Sequence, residues 1–167
     1  MSRFLLPFGL ETGESIREQL AAIDEISDAE VTGSVRRRLE VIGNVNIAIA
    51  AKDPKRAIAA IRKRAVIDRI EEVDELTLRG VARDEVEVLL HLAKPDDFGA
   101  TVLRTTGSKE FVEAFGKISK GKTEHDVFER AAIPFVDPEL REDASVLAKK
   151  KRVKLIEPTD IRGTFHI

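Results

Sequence analysis

No part of the chain restricts its fold more than Val45-Asn46-Ile47-Ala48-Ile49-Ala50-Ala51. It is a nearly continuous apolar run of strand length, which suggests a buried strand. Asp53-Pro54 follows almost at once, a cap and first-turn pair that opens a helix. That helix is expected to run through Arg64, with Ile58 and Ile61 inward and Lys55, Arg56, Arg62, Lys63 and Arg64 outward.

The flanking segments follow the same logic. Residues 12–26 read as a helix, with Thr12 or Ser15 as cap and Ile16, Leu20 and Ile23 at helical spacing. A short strand over 29–32 leads into the turn Gly33-Ser34-Val35-Arg36-Arg37, which opens a short helix. Strands are expected over 65–70, 75–82 and 85–92. In the last, Val86, Val88, Leu90 and Leu92 share one face, while Glu87, Leu89 and His91 share the other. Helices are expected from Pro95 through Leu103 and over 107–115 and 125–132. From Pro134 onward apolar anchors are few, and the segment carries Lys149-Lys150-Lys151-Arg152. This order implies an α+β fold: a mixed sheet with packed helices over 1–94, a small helical lobe over 95–133 and a tail over 134–167.

Charge narrows the function classes only locally. The 28 Lys and Arg against 30 Asp and Glu leave a net charge of −2, so any nucleic-acid contact must come from patches. Arg36-Arg37-Arg38, 55–64 and 149–154 are such patches, each with an alternative as a solvated face. With no Tyr or Trp, only Phe can stack on bases. The absence of cysteine excludes disulfides and thiolate metal sites. No apolar run approaches the roughly 20 residues of a membrane helix, and the N-terminus lacks signal-peptide features. A cytoplasmic protein with no membrane partner is expected.

Thr32-Gly33-Ser34-Val35-Arg36-Arg37, followed six residues later by Gly43-Asn44-Val45-Asn46-Ile47, resembles the nucleotidyltransferase signature of family X (DNA polymerase beta-like) DNA polymerases. There a Gly-Ser turn and arginine pair precede Gly-Asp-x-Asp on the next strand. Arg83-Asp84-Glu85-Val86-Glu87-Val88-Leu89-Leu90 is similar to the strand bearing the third metal-binding aspartate. Pro95-Asp96-Asp97-Phe98-Gly99 and Thr106-Gly107-Ser108-Lys109 resemble the lead into the polymerase thumb. Pro138-Glu139-Leu140-Arg141-Glu142 resembles the linker of bacterial and archaeal members, and 160–166 resembles the start of their PHP phosphoesterase domain. The resemblance implies a palm followed by a thumb, with Gly33, Ser34, Arg36 and Arg37 as candidate triphosphate or anion contacts and Thr106, Gly107, Ser108 and Lys109 as the thumb motif. No helix-hairpin-helix module precedes the palm, and the sequence ends one residue after His166. A piece of a longer protein or a remnant is therefore expected.

The departures from the family pattern carry the functional expectation. Asn44, Asn46 and Leu89 stand at the three metal-binding aspartate positions. Two divalent cations are ordinarily held there through carboxylates for in-line phosphoryl transfer, and Leu89 can neither ligate nor accept a proton. Arg104 and Thr105 replace an aromatic pair, and Phe111 and Val112 replace a His-Asn pair. No catalytic residue, metal site or cofactor is expected. Mg²⁺ or Mn²⁺ would enter only through displaced carboxylates such as Glu87 or Glu40, giving a weakly active polymerase. His91 and His125 are expected to be ordinary histidines, and His166, a metal ligand by resemblance, holds nothing alone. The resemblance thus implies a degenerate, non-catalytic polymerase-like domain. Its expected partners are DNA, bound weakly and salt-sensitively, a PHP nuclease domain or another protein chain. A purely structural interaction domain is the remaining alternative.

Overall fold

The computed structural model describes residues 3–156, 158–160 and 163. Most of the segment resembling a PHP start, His166 included, lies outside the described residues.

The expected buried strand is the second strand of a five-stranded sheet. β2 (Asp28–Thr32), β4 (Val45–Ala50), β7 (Glu87–Ala93), β6 (Thr77–Val81) and β5 (Asp68–Asp74) lie in that spatial order. β4 and β7 pair in parallel, and the other pairings are antiparallel. A separate two-stranded ribbon, not expected from the sequence, joins β1 (Phe4–Leu5) to β3 (Val41–Ile42).

Two helices cover one face of the sheet. α1 (Leu6–Ala21) buries Ile16 and Leu20, and α3 (Pro54–Arg64) buries Ala57 and Ile61, against Val31, Ile47, Ile49, Leu78, Val88 and Leu90. The opposite face of β4 presents Ala48 and Ala50, both buried. Their small side chains leave room for a helix, and α4 (Phe98–Thr106) packs there against β4 and β7.

Local chemistry explains where the boundaries moved. α1 starts well before residue 12 because Pro7 sits in its first turn, where a preset φ and a missing N–H cost nothing. Its buried stripe runs Gly9, Gly13, Ile16, Leu20; the two glycines bring the helix against Val31, Val35 and Ile42. The strand expected over 65–70 begins at Asp68 instead, because Ala65 takes a left-handed conformation that ends α3. Asp53 caps α3 as expected, accepting from the N–H groups of Lys55 and Arg56.

The helical lobe has a core of its own. α4, α5 (Lys109–Phe115) and α6 (Glu124–Arg130) enclose Ala100, Leu103, Phe111, Phe115, Val127 and Phe128. The segment after Pro134 corrects the expectation of a poorly anchored tail. Val136 is buried in this core, with Phe135, Leu140, Val146 and Leu147 packed against it, and Arg141 is completely buried. Residues 134–148 therefore form a strap across the helical lobe, held by one buried cation as much as by apolar contact. His125 stacks on Phe135 at 4.1 Å between ring centroids. No helix of the described residues is long and apolar enough to cross a membrane.

Candidate functional site

The Gly33 turn lies where β2 ends, directly against β4. Gly33 has φ +68°, and a Cβ there would stand 2.9 Å from Asn46 Nδ2. Both the backbone conformation and the space demand glycine. The turn opens α2 (Gly33–Arg36), a single helical turn that ends at Arg37. Ser34 is part-buried, and its carbonyl accepts from Leu39 N–H at 3.1 Å.

Register brings the three candidate metal positions together. Asn46 is paired with Thr32 on β2 and with Leu89 on β7, so the three side chains share one face. Asn44 lies two residues before Asn46, at the mouth of the same face. Glu87, Leu89 and His91 line it from β7, as the alternation of that strand predicted.

The polar side chains on this face bond to each other. Asn46 Nδ2 donates to Asn44 Oδ1 at 2.8 Å, and Asn44 Nδ2 makes a long contact with Glu87 Oε1 at 3.5 Å. At the other end Asn46 Oδ1 lies 2.9 Å from His91 Nε2. Because that oxygen only accepts, Nε2 carries the proton. The donors thus run from His91 through Asn46 and Asn44 to Glu87. Burial holds the His91 pKa below its ordinary value, with Asp74 opposing more weakly. Thr32 Oγ, fully buried beside Asn46, has no hydrogen-bond partner among the described residues.

This donor set does not fit the two divalent cations of a nucleotidyltransferase. The amide oxygens of Asn44 and Asn46 carry no charge and each already accepts one hydrogen bond, Leu89 is apolar, and Glu87 is the single carboxylate in the ladder. Among the described residues no group of three or more His, Cys, Asp or Glu could hold a metal ion. Glu40 is exposed, its carbonyl accepting from Leu6 N–H at 3.1 Å.

The ladder has a direct test. Asn46→Asp would place a carboxylate on His91 Nε2–H and raise the imidazole pKa by more than about one pH unit, since an adjacent anion favours the charged ring. An NMR titration of the His91 ring reads this; an unchanged pKa would mean that the two side chains do not touch.

The arginines beside the turn reach the helical lobe. Arg36 lies 3.2 Å from Glu30 Oε1 through Nε and 2.8 Å from Glu124 Oε2 through a terminal nitrogen, which also donates to Thr106 Oγ at 3.1 Å. Arg37 pairs with Glu142 at 2.6 Å and donates to the Thr106 carbonyl at 2.6 Å. The thumb-motif residues serve the same junction. Thr106 is fully buried between the lobes. Gly107 leaves no room for a Cβ, which would meet Phe111 Cδ1 at 2.8 Å. Ser108 caps α5 by accepting from Phe111 N–H, and it donates through Oγ to the Glu142 carbonyl at 3.1 Å. Lys109 is exposed, 3.8 Å from Glu113. Of the other departures, Phe111 is core and Val112 part-buried, while Arg104 contacts Asp97 and Thr101.

Sequence reasoning missed Glu30, Glu124, Arg141 and Glu142. Glu30 and Glu124 are unremarkable charges in their own segments, Arg141 and Glu142 stand only as part of a linker-like motif, and only the fold brings these groups to one junction.

Comparison with known proteins agrees with the architecture. The chain is similar to polymerase beta of Leishmania infantum, solved as a ternary P/T complex, with a TM-score of 0.66 and 16% identity. The match covers 85% of this chain and 77% of that one. The chain therefore has the polymerase beta-like nucleotidyltransferase fold, α+β with a mixed sheet. No family model matches the chain. No curated protein matches it in sequence.

Proposed function

We propose that this chain is a non-catalytic polymerase beta-like domain that holds DNA or a neighbouring domain in place and transfers no nucleotide. One observation carries the proposal. On the strand pair where the resemblance places metal-binding carboxylates, Asn44, Asn46, Glu87 and His91 contact one another, and Glu87 is the one carboxylate among them. Phosphoryl transfer needs charge neutralisation by metal ions held on carboxylates, and a group that takes the proton of the attacking hydroxyl. Leu89 offers neither. The polymerase beta neighbour, solved as a ternary P/T complex, supports DNA as the first partner to consider. A PHP nuclease neighbour rests on the sequence resemblance of 138–142 and 160–166, and 138–142 belongs here to the docked strap.

The test is primer extension on a one-nucleotide gapped duplex with Mg²⁺ or Mn²⁺. No product is expected even at protein concentrations that saturate the duplex. Added nucleotides, abolished by Glu87→Gln, would overturn the proposal and place a relocated metal on the ladder.

A further inference from the structure

We infer that the helical lobe is locked onto the sheet lobe by one continuous charge chain, Glu30–Arg36–Glu124–Arg141, seconded by Arg37–Glu142. The lobes then move as a single body, and the two guanidiniums beside the Gly33 turn are held away from any anion approaching that turn. The inference does not depend on whether the chain transfers nucleotides.

Four elements meet at this chain, two of them consecutive and two far along the sequence. Glu30 comes from β2, Arg36 from α2, Glu124 from the first turn of α6 and Arg141 from the strap. Glu124 stands between two guanidiniums, with Arg36 at 2.8 Å on one side and Arg141 in a closer contact on the other. Its side chain is 7% exposed and that of Arg141 0%, so little water screens either pair. Arg141 also donates to the Val136 carbonyl at 2.9 Å and lies over the rings of Phe128 and Phe135 at 5.3 and 5.4 Å. Backbone bonds fasten the strap beside it: the Arg141 carbonyl accepts from Ser108 N–H at 3.0 Å. Burial, opposed by Glu124, pulls the Arg141 pKa down, and burial, opposed by Arg36, pushes that of Glu30 up. Both ends of the chain therefore depend on their partners. The contrast with Lys109–Glu113 and Lys122–Asp96 is large, because those pairs are exposed and such pairs contribute little.

Hydrogen exchange on the full chain tests the lock. In Arg36→Ala, amides of α6 and of 136–142 should exchange about tenfold or more faster, the scale expected when one partner of a part-buried pair is removed. β4 and β7 should keep native protection. Glu142→Gln, a milder change at an exposed carboxylate, should speed exchange over 136–142 alone. Inorganic pyrophosphate probes the second half of the inference. It should leave exchange over 33–37 unchanged in the native protein and slow it in Glu142→Gln, where Arg37 keeps the Thr106 carbonyl but loses its carboxylate partner. Native exchange over α6 in a folded Arg36→Ala protein would overturn the lock, and so would pyrophosphate protection of 33–37 in the native protein. If Arg36→Ala does not fold, Glu142→Gln decides: faster exchange over 136–142 supports the lock and no change overturns it.

Discussion

Gly99→Ala lowers the melting midpoint by roughly 6–12 °C, corresponding to about 3 kcal/mol of overpacking in a chain of this size. Gly99 lies in the first turn of α4, and its N–H donates to the Gly121 carbonyl at 2.9 Å. A Cβ there would stand 2.1 Å from the Thr123 carbonyl carbon and 2.7 Å from Glu124 N. Those neighbours are backbone, so no rotamer change relieves the clash. The 121–124 segment has to move, and it carries Glu124 away from Arg36 and Arg141. Gly43→Ala is the control, because a Cβ at Gly43 meets nothing within 4 Å; its midpoint should stay native. A native midpoint for Gly99→Ala would mean that the backbones of α4 and 121–124 do not approach closely.

Arg141→Met costs about 3–5 kcal/mol in urea unfolding, the range for breaking a buried charge pair from one side. Methionine keeps much of the volume against Phe128 and Phe135, so the loss is electrostatic and hydrogen-bonding. The Val136 carbonyl loses its donor, and Glu124 keeps only Arg36 as a cationic partner. Arg141→Lys should recover only part of the loss, because an ammonium cannot reproduce the fork that spans Glu124 and Val136. Lys109→Met should change stability by less than about 0.5 kcal/mol, since its pair with Glu113 is exposed. Equal stabilities for the Arg141 and Lys109 variants would remove Arg141 as the pin of the strap.

Much of the sheet lobe was legible because its signals are local. The apolar run from Val45 forms β4, the Asp53-Pro54 pair opens α3, and the alternation from Val86 to Leu92 sorts buried from half-buried residues as written. The misplaced elements are those where a local signal met a tertiary one. Gly9 and Gly13 weaken helix propensity, yet they are where α1 touches β2 and the β1–β3 ribbon. The strand expected from residue 65 gave way to a left-handed cap at Ala65.

The candidate site divides along the same line. Composition, periodicity and motif order determined that this chain builds an α+β sheet lobe with a helical lobe after it, and the family resemblance implies that Asn44, Asn46 and Leu89 take the place of metal-binding aspartates. These follow from neighbours within a few residues, where backbone preference and side-chain period act directly. Tertiary structure alone decided that His91 closes a ladder on Asn46, 45 residues away in the chain. It alone decided that Arg36 and Arg37 serve a junction with Glu124 and Glu142, and that a sparsely apolar tail is pinned by a buried Arg141. The physical reason is that a charge announces its sign in sequence but not its partner. Pairing energy depends on distance and on the exclusion of water, and both arise only once remote segments have packed.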